Sequence, residues 1–374
     1  MSKLKQPKNL RKKINPVDSG MGFLGAIFAF FGASYLAVMI LILLFLAELS
    51  NDPNYLDQVM DYPWVIILTT VLPQIALLLF AVIFCKIRRV DFFSALQINS
   101  KPKITILAVI PVLALFLIIS NLPLLAAAED IFRRVGYSFP DISFDKMLSS
   151  PWGVIGVVLS VCLMPALFEE LIFRGLILQG LASKFKPFFA IFLSSLAFSL
   201  MHMSPAQTIH QFLLGMALGY IVLATKSIWS GTLLHFFNNL WAVILEALLY
   251  KNFNIPFIDN TIFIYLGGII FALLGLVAFF LAVDFMGKDI SQGIFAQSLK
   301  RLVKRQKDYG YKMNYDVILP PPIFGVMPMS EEDYKNYVIA KEQKNRRTFI
   351  VLFSLAFGIC LIFWIISLAQ GMIL

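Results

Sequence analysis

The chain reads as nine apolar runs separated by short polar stretches. The runs are Gly22–Ala47, Trp64–Cys85, Ile104–Ala127, Trp152–Leu178, Phe188–Met203, Ile209–Thr225, Ile228–Leu249, Ile262–Val283 and Thr348–Leu374. A helix needs about 20 apolar residues to cross a bilayer, and all but the fifth and sixth runs reach that length. Those two flank a turn at Ser204-Pro205 and read either as two short spans or as one re-entrant pair. Trp64, Trp152 and Trp229 stand at run boundaries, where amphipathic rings favour the interface. Pro63, Pro151 and Pro187 sit where helices start, where a missing N–H costs little. Gly215 and Gly219 form a GxxxG that permits close helix contact. The pattern predicts an all-α polytopic integral membrane protein, with eight to nine transmembrane helices around an intramembrane polar cavity.

Composition narrows this further. The 374 residues are 59% hydrophobic and 14% charged, against about 45–50% and about 25% in soluble domains, and the mean hydropathy is +0.81. A soluble two-domain enzyme, a disordered chain and a fibrous chain are excluded. The net charge of +9 marks cytoplasmic loops by the positive-inside rule, and no nucleic-acid partner is expected. Cys85, Cys162 and Cys360 lie far apart inside apolar runs, so they read as small buried hydrophobes rather than a disulfide framework or metal site.

Charge also sets topology. Residues 1–13 carry Lys3, Lys5, Lys8, Arg11, Lys12 and Lys13, while the first loop carries Asp52, Asp57 and Asp61 without a base. The second loop carries Lys86, Arg88, Arg89, Lys101 and Lys103 against Asp91. The N-terminus is therefore expected in the cytoplasm of a multi-pass cell-membrane protein, with the first run a retained signal anchor because its apolar stretch exceeds that of a cleaved signal. The chain divides into a basic N-terminus (1–21), N-terminal membrane helices (22–150), a core (151–250), a further membrane helix (251–283), a cytoplasmic basic segment (284–347) and a last membrane helix (348–374). The segment 284–347 holds twelve bases and eight acids. Its part Gln292–Lys312 reads as a helix lying on anionic lipid or one that is simply solvated. Pro320-Pro321-Pro322 and Pro328 favour extended backbone. This segment is the expected contact for a membrane-protein partner.

The candidate chemistry lies in one block. The first, second, third, eighth and ninth runs have interiors free of Asp, Glu, Lys, Arg and His, whereas the runs within 152–250 hold Glu169, Glu170, Arg174, His202, His210, His235 and Glu246. Ionisable groups at membrane depth are costly and face a protein interior or a wet cavity. On a helix Glu170 and Arg174 share a face and suit an ion pair; Glu169 points about 100° away and keeps a carboxylate for base chemistry. The alternative makes both glutamates structural counter-ions. Phe198 and His202 share a face, as do His235 and Asn239, whose donors suit an oxyanion hole or, alternatively, a helix–helix hydrogen bond. Together these residues can hydrolyse a peptide: a carboxylate to activate water, an imidazole to assist, and donors for the tetrahedral oxyanion. His210 reads as a packing residue and Glu246 as lying nearer the outer surface.

The order EExxxR, FxxxH, HxxxN in successive membrane helices resembles the CAAX protease and bacteriocin-processing family (CPBP, or Abi), which includes CAAX prenyl endopeptidases. The resemblance covers about residues 150–250. It implies that Glu169 activates the water with His202 assisting, that His235 and Asn239 bind the oxyanion, and that Glu170, Arg174 and Phe198 shape the site. It also implies an eight-helix core, to which a ninth span would be an addition. The family is often labelled metalloprotease. No cofactor is required by a glutamate mechanism, and a zinc site of two histidines and one glutamate is the alternative; HExxH is missing. The expected partners are membrane lipids and a peptide or lipidated protein substrate. Two rival readings remain from the sequence: a catalytically silent scaffold regulating a partner such as a sensor kinase or cell-wall enzyme, and a transporter using the charged block as a proton relay.

Overall fold

The computed structural model describes residues 13–52, 55, 59, 62–137, 145–205, 207–250, 263–286, 293–295, 297 and 331–373. Long helices form at all nine runs: α1 (Pro16–Leu44), α2 (Pro63–Arg88), α3 (Ile104–Arg134), α4 (Pro151–Ala182), α5 (Pro187–Met201), α6 (Thr208–Thr225), α7 (Ile228–Tyr250), α8 (Gly268–Met286) and α9 (Glu331–Ile373). Eight are long and apolar enough to cross a membrane, and α5, at 15 residues, is shorter. The protein is an all-α polytopic membrane protein. Trp64, Trp152 and Trp229 are exposed at the starts of α2, α4 and α7. The basic N-terminus through residue 12, Asp57 and Asp61 of the first loop, the proline run and most of the basic stretch Gln292–Lys312 lie outside the described residues.

The helix starts follow from local chemistry. Pro occupies the first turn of α1, α2, α4 and α5, where no intrahelical N–H is needed. At α1 the Asn15 side chain accepts from the Asp18 N–H at 3.1 Å and Asp18 accepts from the Asn15 N–H at 3.0 Å, a reciprocal cap that places the start at Pro16 rather than Gly22. α9 extends well N-terminal of Thr348. Its residues 331–347 are polar but good helix formers, so the helix continues beyond its apolar part instead of ending at it.

α4 departs from the regular helix expected over Trp152–Leu178. It passes from α (Pro151–Val157) to π (Val158–Leu163), back to α (Met164–Glu170), and to π again (Leu171–Ile177). Pro165 has no N–H for the Val161 carbonyl that it would serve in the α register, and π-bulges are one way to absorb such a break. The two glutamates thus sit at the end of a short α segment between two widened ones.

α4 packs against α1, α2, α5 and α7; α5 pairs with α6, α3 lies against α7 and α8, and α9 lies along α1 and α5. The GxxxG of α6 is where α5 comes closest: a Cβ on Gly215 would lie 2.9 Å from the Ser195 Cβ, and one on Gly219 3.1 Å from Ile191. α9 meets α1 through aromatic contacts, Phe353 and Phe357 with Phe23 (centroids 5.4 and 5.5 Å) and Phe363 stacked on Phe31. The three cysteines are buried and unpaired.

Candidate active site

The polar cluster forms around α4. Arg174 and Glu170 are both buried and meet at 2.7 Å. Arg174 also donates to the Gly215 carbonyl of α6 at 3.4 Å, and its guanidinium carbon lies 4.3 Å from the Phe198 ring centroid, a cation–π contact strengthened by desolvation. Glu170 Oε1 also lies 3.2 Å from His235 Nδ1 on α7. A carboxylate only accepts, so this contact places the hydrogen on Nδ1. The ring atom left is Nε2, which donates when the imidazole carries two protons and accepts when it carries one. Space for Glu170 comes from Gly231, where a Cβ would lie 2.7 Å from Oε2.

Phe198 of α5 joins the two histidines. Its ring packs edge-on against His202 at 4.9 Å and His235 at 5.7 Å, and against Phe173 at 5.2 Å. His202 caps α5, and its Nδ1 lies 2.9 Å from the Phe198 carbonyl. A carbonyl only accepts, so Nδ1–H donates and the neutral ring keeps its lone pair on Nε2. His202 lies within electrostatic range of Glu169, His235 and Arg174.

Glu169 points to a different neighbour. Its Oε1 accepts from Gln74 Nε2 on α2 at 2.7 Å, and its Oε2 has no hydrogen-bond partner in the protein. It retains 8% exposure against 0% for Glu170. Asn239 is half-buried and donates from Nδ2 to the Val161 carbonyl at 3.1 Å, the carbonyl that Pro165 cannot serve. The structure therefore brings Glu170, Arg174, His235, Phe198 and His202 into one contact network and sets Glu169 beside it. It gives Asn239 a helix–helix bond to α4. His210 lies within electrostatic range of His202, and Glu246 is exposed on α7.

Sequence reasoning confined to ionisable residues missed four others. Gln74 is the one amide in Pro63–Arg88, and a lone amide in an apolar span is itself a signal. Asn238, buried with its Oδ1 unpartnered, adjoins Asn239. Ser194 donates to the Phe173 carbonyl at 2.8 Å and Gln179 to the Arg174 carbonyl at 3.0 Å, serving backbone acceptors in the second π segment; nothing in the sequence marks that segment in advance.

A zinc site needs three protein ligands converging on one point. Among the described residues no three His, Cys, Asp or Glu side chains are grouped so as to hold a metal ion. The two-histidine, one-glutamate set does not form one.

Residues 151–241 match the family model described as type II CAAX prenyl endopeptidase Rce1-like. This segment is therefore similar to the CAAX prenyl endopeptidases. Glu169, Glu170, Arg174, Phe198, His202, His235 and Asn239 all lie inside the Rce1-like segment, which is about a quarter of the chain, and Gln74 lies outside it. Comparison with curated proteins and with solved structures gave no match.

Proposed function

We propose that the protein is an intramembrane endopeptidase that hydrolyses a peptide bond in a membrane-associated or lipidated peptide or protein. At family level a CAAX-type protease is supported by the Rce1-like segment. The observation that carries the catalytic reading is Glu169: a buried carboxylate at the centre of α4, anchored through one oxygen and free of protein partners at the other.

In this reading Glu169 Oε2 takes a proton from water as the water oxygen attacks the scissile carbonyl carbon. Electrons move onto the carbonyl oxygen, and that oxyanion is met by donors from Asn239 and from the Nε2–H of His235, which in this reading carries two protons, the other on Nδ1 facing Glu170. His202, with its Nε2 lone pair, shares in moving the proton to the leaving nitrogen. The C–N bond then breaks, giving a carboxylate and an amine. Glu170 orients His235 and balances Arg174. Asn239 must release the Val161 carbonyl or share its amide to take part, so substrate binding is expected to loosen that contact. Zinc enters no step.

In this reading the protein sits in the cell membrane with its N-terminus in the cytoplasm, and segment 284–347 is where a membrane partner would bind. Peptidomics of membranes from cells expressing wild type, Glu169→Ala or His235→Ala tests the activity. Peptides present only with wild type, with all three proteins folded at equal levels, support it; the same peptides in all three sink it and favour a scaffold. Wild type freed of metal by chelation is expected to keep full activity, and a loss restored by zinc overturns the metal-free scheme.

A further inference from the structure

Gln74 stands on α2, outside the Rce1-like segment, yet reaches the residue on which the proposed chemistry turns. Its Nε2 lies 2.7 Å from Glu169 Oε1, and both side chains are buried. A carboxylate only accepts, so the amide's NH₂ must face it. The neighbouring side chains of α2 are apolar apart from Thr69 and Thr70, whose hydroxyls return to their own backbone. A polar side chain at this depth is costly unless its partner is fixed. Pro73, immediately before Gln74, is also buried.

We propose that Gln74 is a positioning residue for Glu169. The inference rests on the endopeptidase reading above. A glutamate side chain has three rotatable bonds, and Glu170 beside it is held by Arg174 and His235. Among the described residues, Glu169 is held by the Gln74 amide at Oε1, and its Oε2 has no hydrogen-bond partner. By engaging Oε1, that amide selects one carboxylate orientation and leaves Oε2 for water. Removing it preserves the base but spreads its orientation, which costs turnover rather than substrate binding. Gln74 touches Glu169 and not the reacting atoms, and it makes helix α2 part of a site whose other members lie on α4, α5 and α7.

The test uses the full chain in phospholipid nanodiscs and an internally quenched farnesylated peptide ending in a CAAX box. Gln74→Met keeps length and removes the donor; Gln74→Asn keeps an amide but withdraws it by one methylene. Both are expected to lower kcat about tenfold or more while KM stays within about twofold. The carboxylate stretch of Glu169, isolated as the infrared difference between wild type and Glu169→Gln, is expected to shift when Gln74→Met is introduced. A kcat within twofold of wild type in both variants, a loss in KM alone, or an unmoved band overturns the proposal. If wild type leaves the peptide intact but the band moves, the prenylated-substrate reading fails and the Gln74–Glu169 coupling stands.

Discussion

The protein buries carboxylates in two kinds of place, and they are built differently. Near helix ends, Asp18 in the first turn of α1 meets Arg88 in the last turn of α2 at 2.6 Å, and Asp284 near the end of α8 takes the Tyr220 hydroxyl. Arg88 remains 28% exposed there, with its guanidinium on the buried Asp18 carboxylate. Midway along α4, Glu170 meets Arg174 and His235, and the guanidinium lies over Phe198. Each end pair joins two helices, Arg88 reaching Asp18 through both Nε and Nη2. The central cluster joins α4, α5, α6 and α7, and each member satisfies another. Arg88 is part-exposed whereas Arg174 is 1% exposed, so water can reach the cation side of the Asp18 pair more readily than the central cluster.

The largest effect follows directly. Arg174→Met leaves Glu170 wholly buried without its cation, which costs about 3–5 kcal/mol. The expected outcome is a collapse in monodisperse yield and thermal stability in detergent. A drop no larger than that of Arg88→Met would erase the distinction between the two places. Next comes Asn239→Ala. If its amide meets the oxyanion, kcat falls about 10²–10³-fold while stability falls by only about 1 kcal/mol from the lost Val161 contact. Stability loss with kcat unchanged per folded molecule would assign Asn239 to the helix interface alone.

Much of this was legible because lipid simplifies the reading. In hydrocarbon the backbone must satisfy itself as a helix, so long apolar runs give the helices and their approximate ends. Confinement of charge to 152–250 gives the block, and the four-residue spacing of Glu170 and Arg174 gives their pair. Three things were not legible. The π segments depend on how Pro165 is accommodated by neighbours. Glu170 contacts His235 only because α4 and α7 pack together, and spacing along one helix says nothing about the next. Gln74 was missed because its polarity is uncharged and its partner lies 95 residues away in sequence.

A smaller change probes how tightly the central cluster is built. Gly231→Ala adds a Cβ that would lie 2.7 Å from Glu170 Oε2 and 2.6 Å from Val222. Neither neighbour is at the surface, so α7 must shift away from α4, at about 1–3 kcal/mol. Because His235 rides on the same helix, proteolysis should fall more than stability does. Thermal denaturation and cleavage of the same preparation measure both. Equal activity per folded molecule would mean that the His235–Glu170 contact tolerates displacement.

The smallest effect tests the other place. Arg88→Met removes the cation from Asp18, whose side chain is fully buried. Asp18 keeps its bond from the Asn15 N–H, and Arg88 lies at a helix end where water can replace part of what it gave. Because the Asp18 carboxylate is itself buried, the loss is expected above that of an exposed pair, at about 1–2 kcal/mol, but below that of Arg174→Met, and high salt should shrink the difference between wild type and variant to the extent that Arg88 is exposed. Cleavage per folded molecule should be unchanged, since α1 meets α4 through Ser19 Oγ on the Ile177 carbonyl at 2.8 Å and the variant leaves that bond intact. A salt-independent loss of several kcal/mol would instead show that burial of Asp18 alone governs the cost, and that distance from water along the helix is not what separates the two kinds of carboxylate.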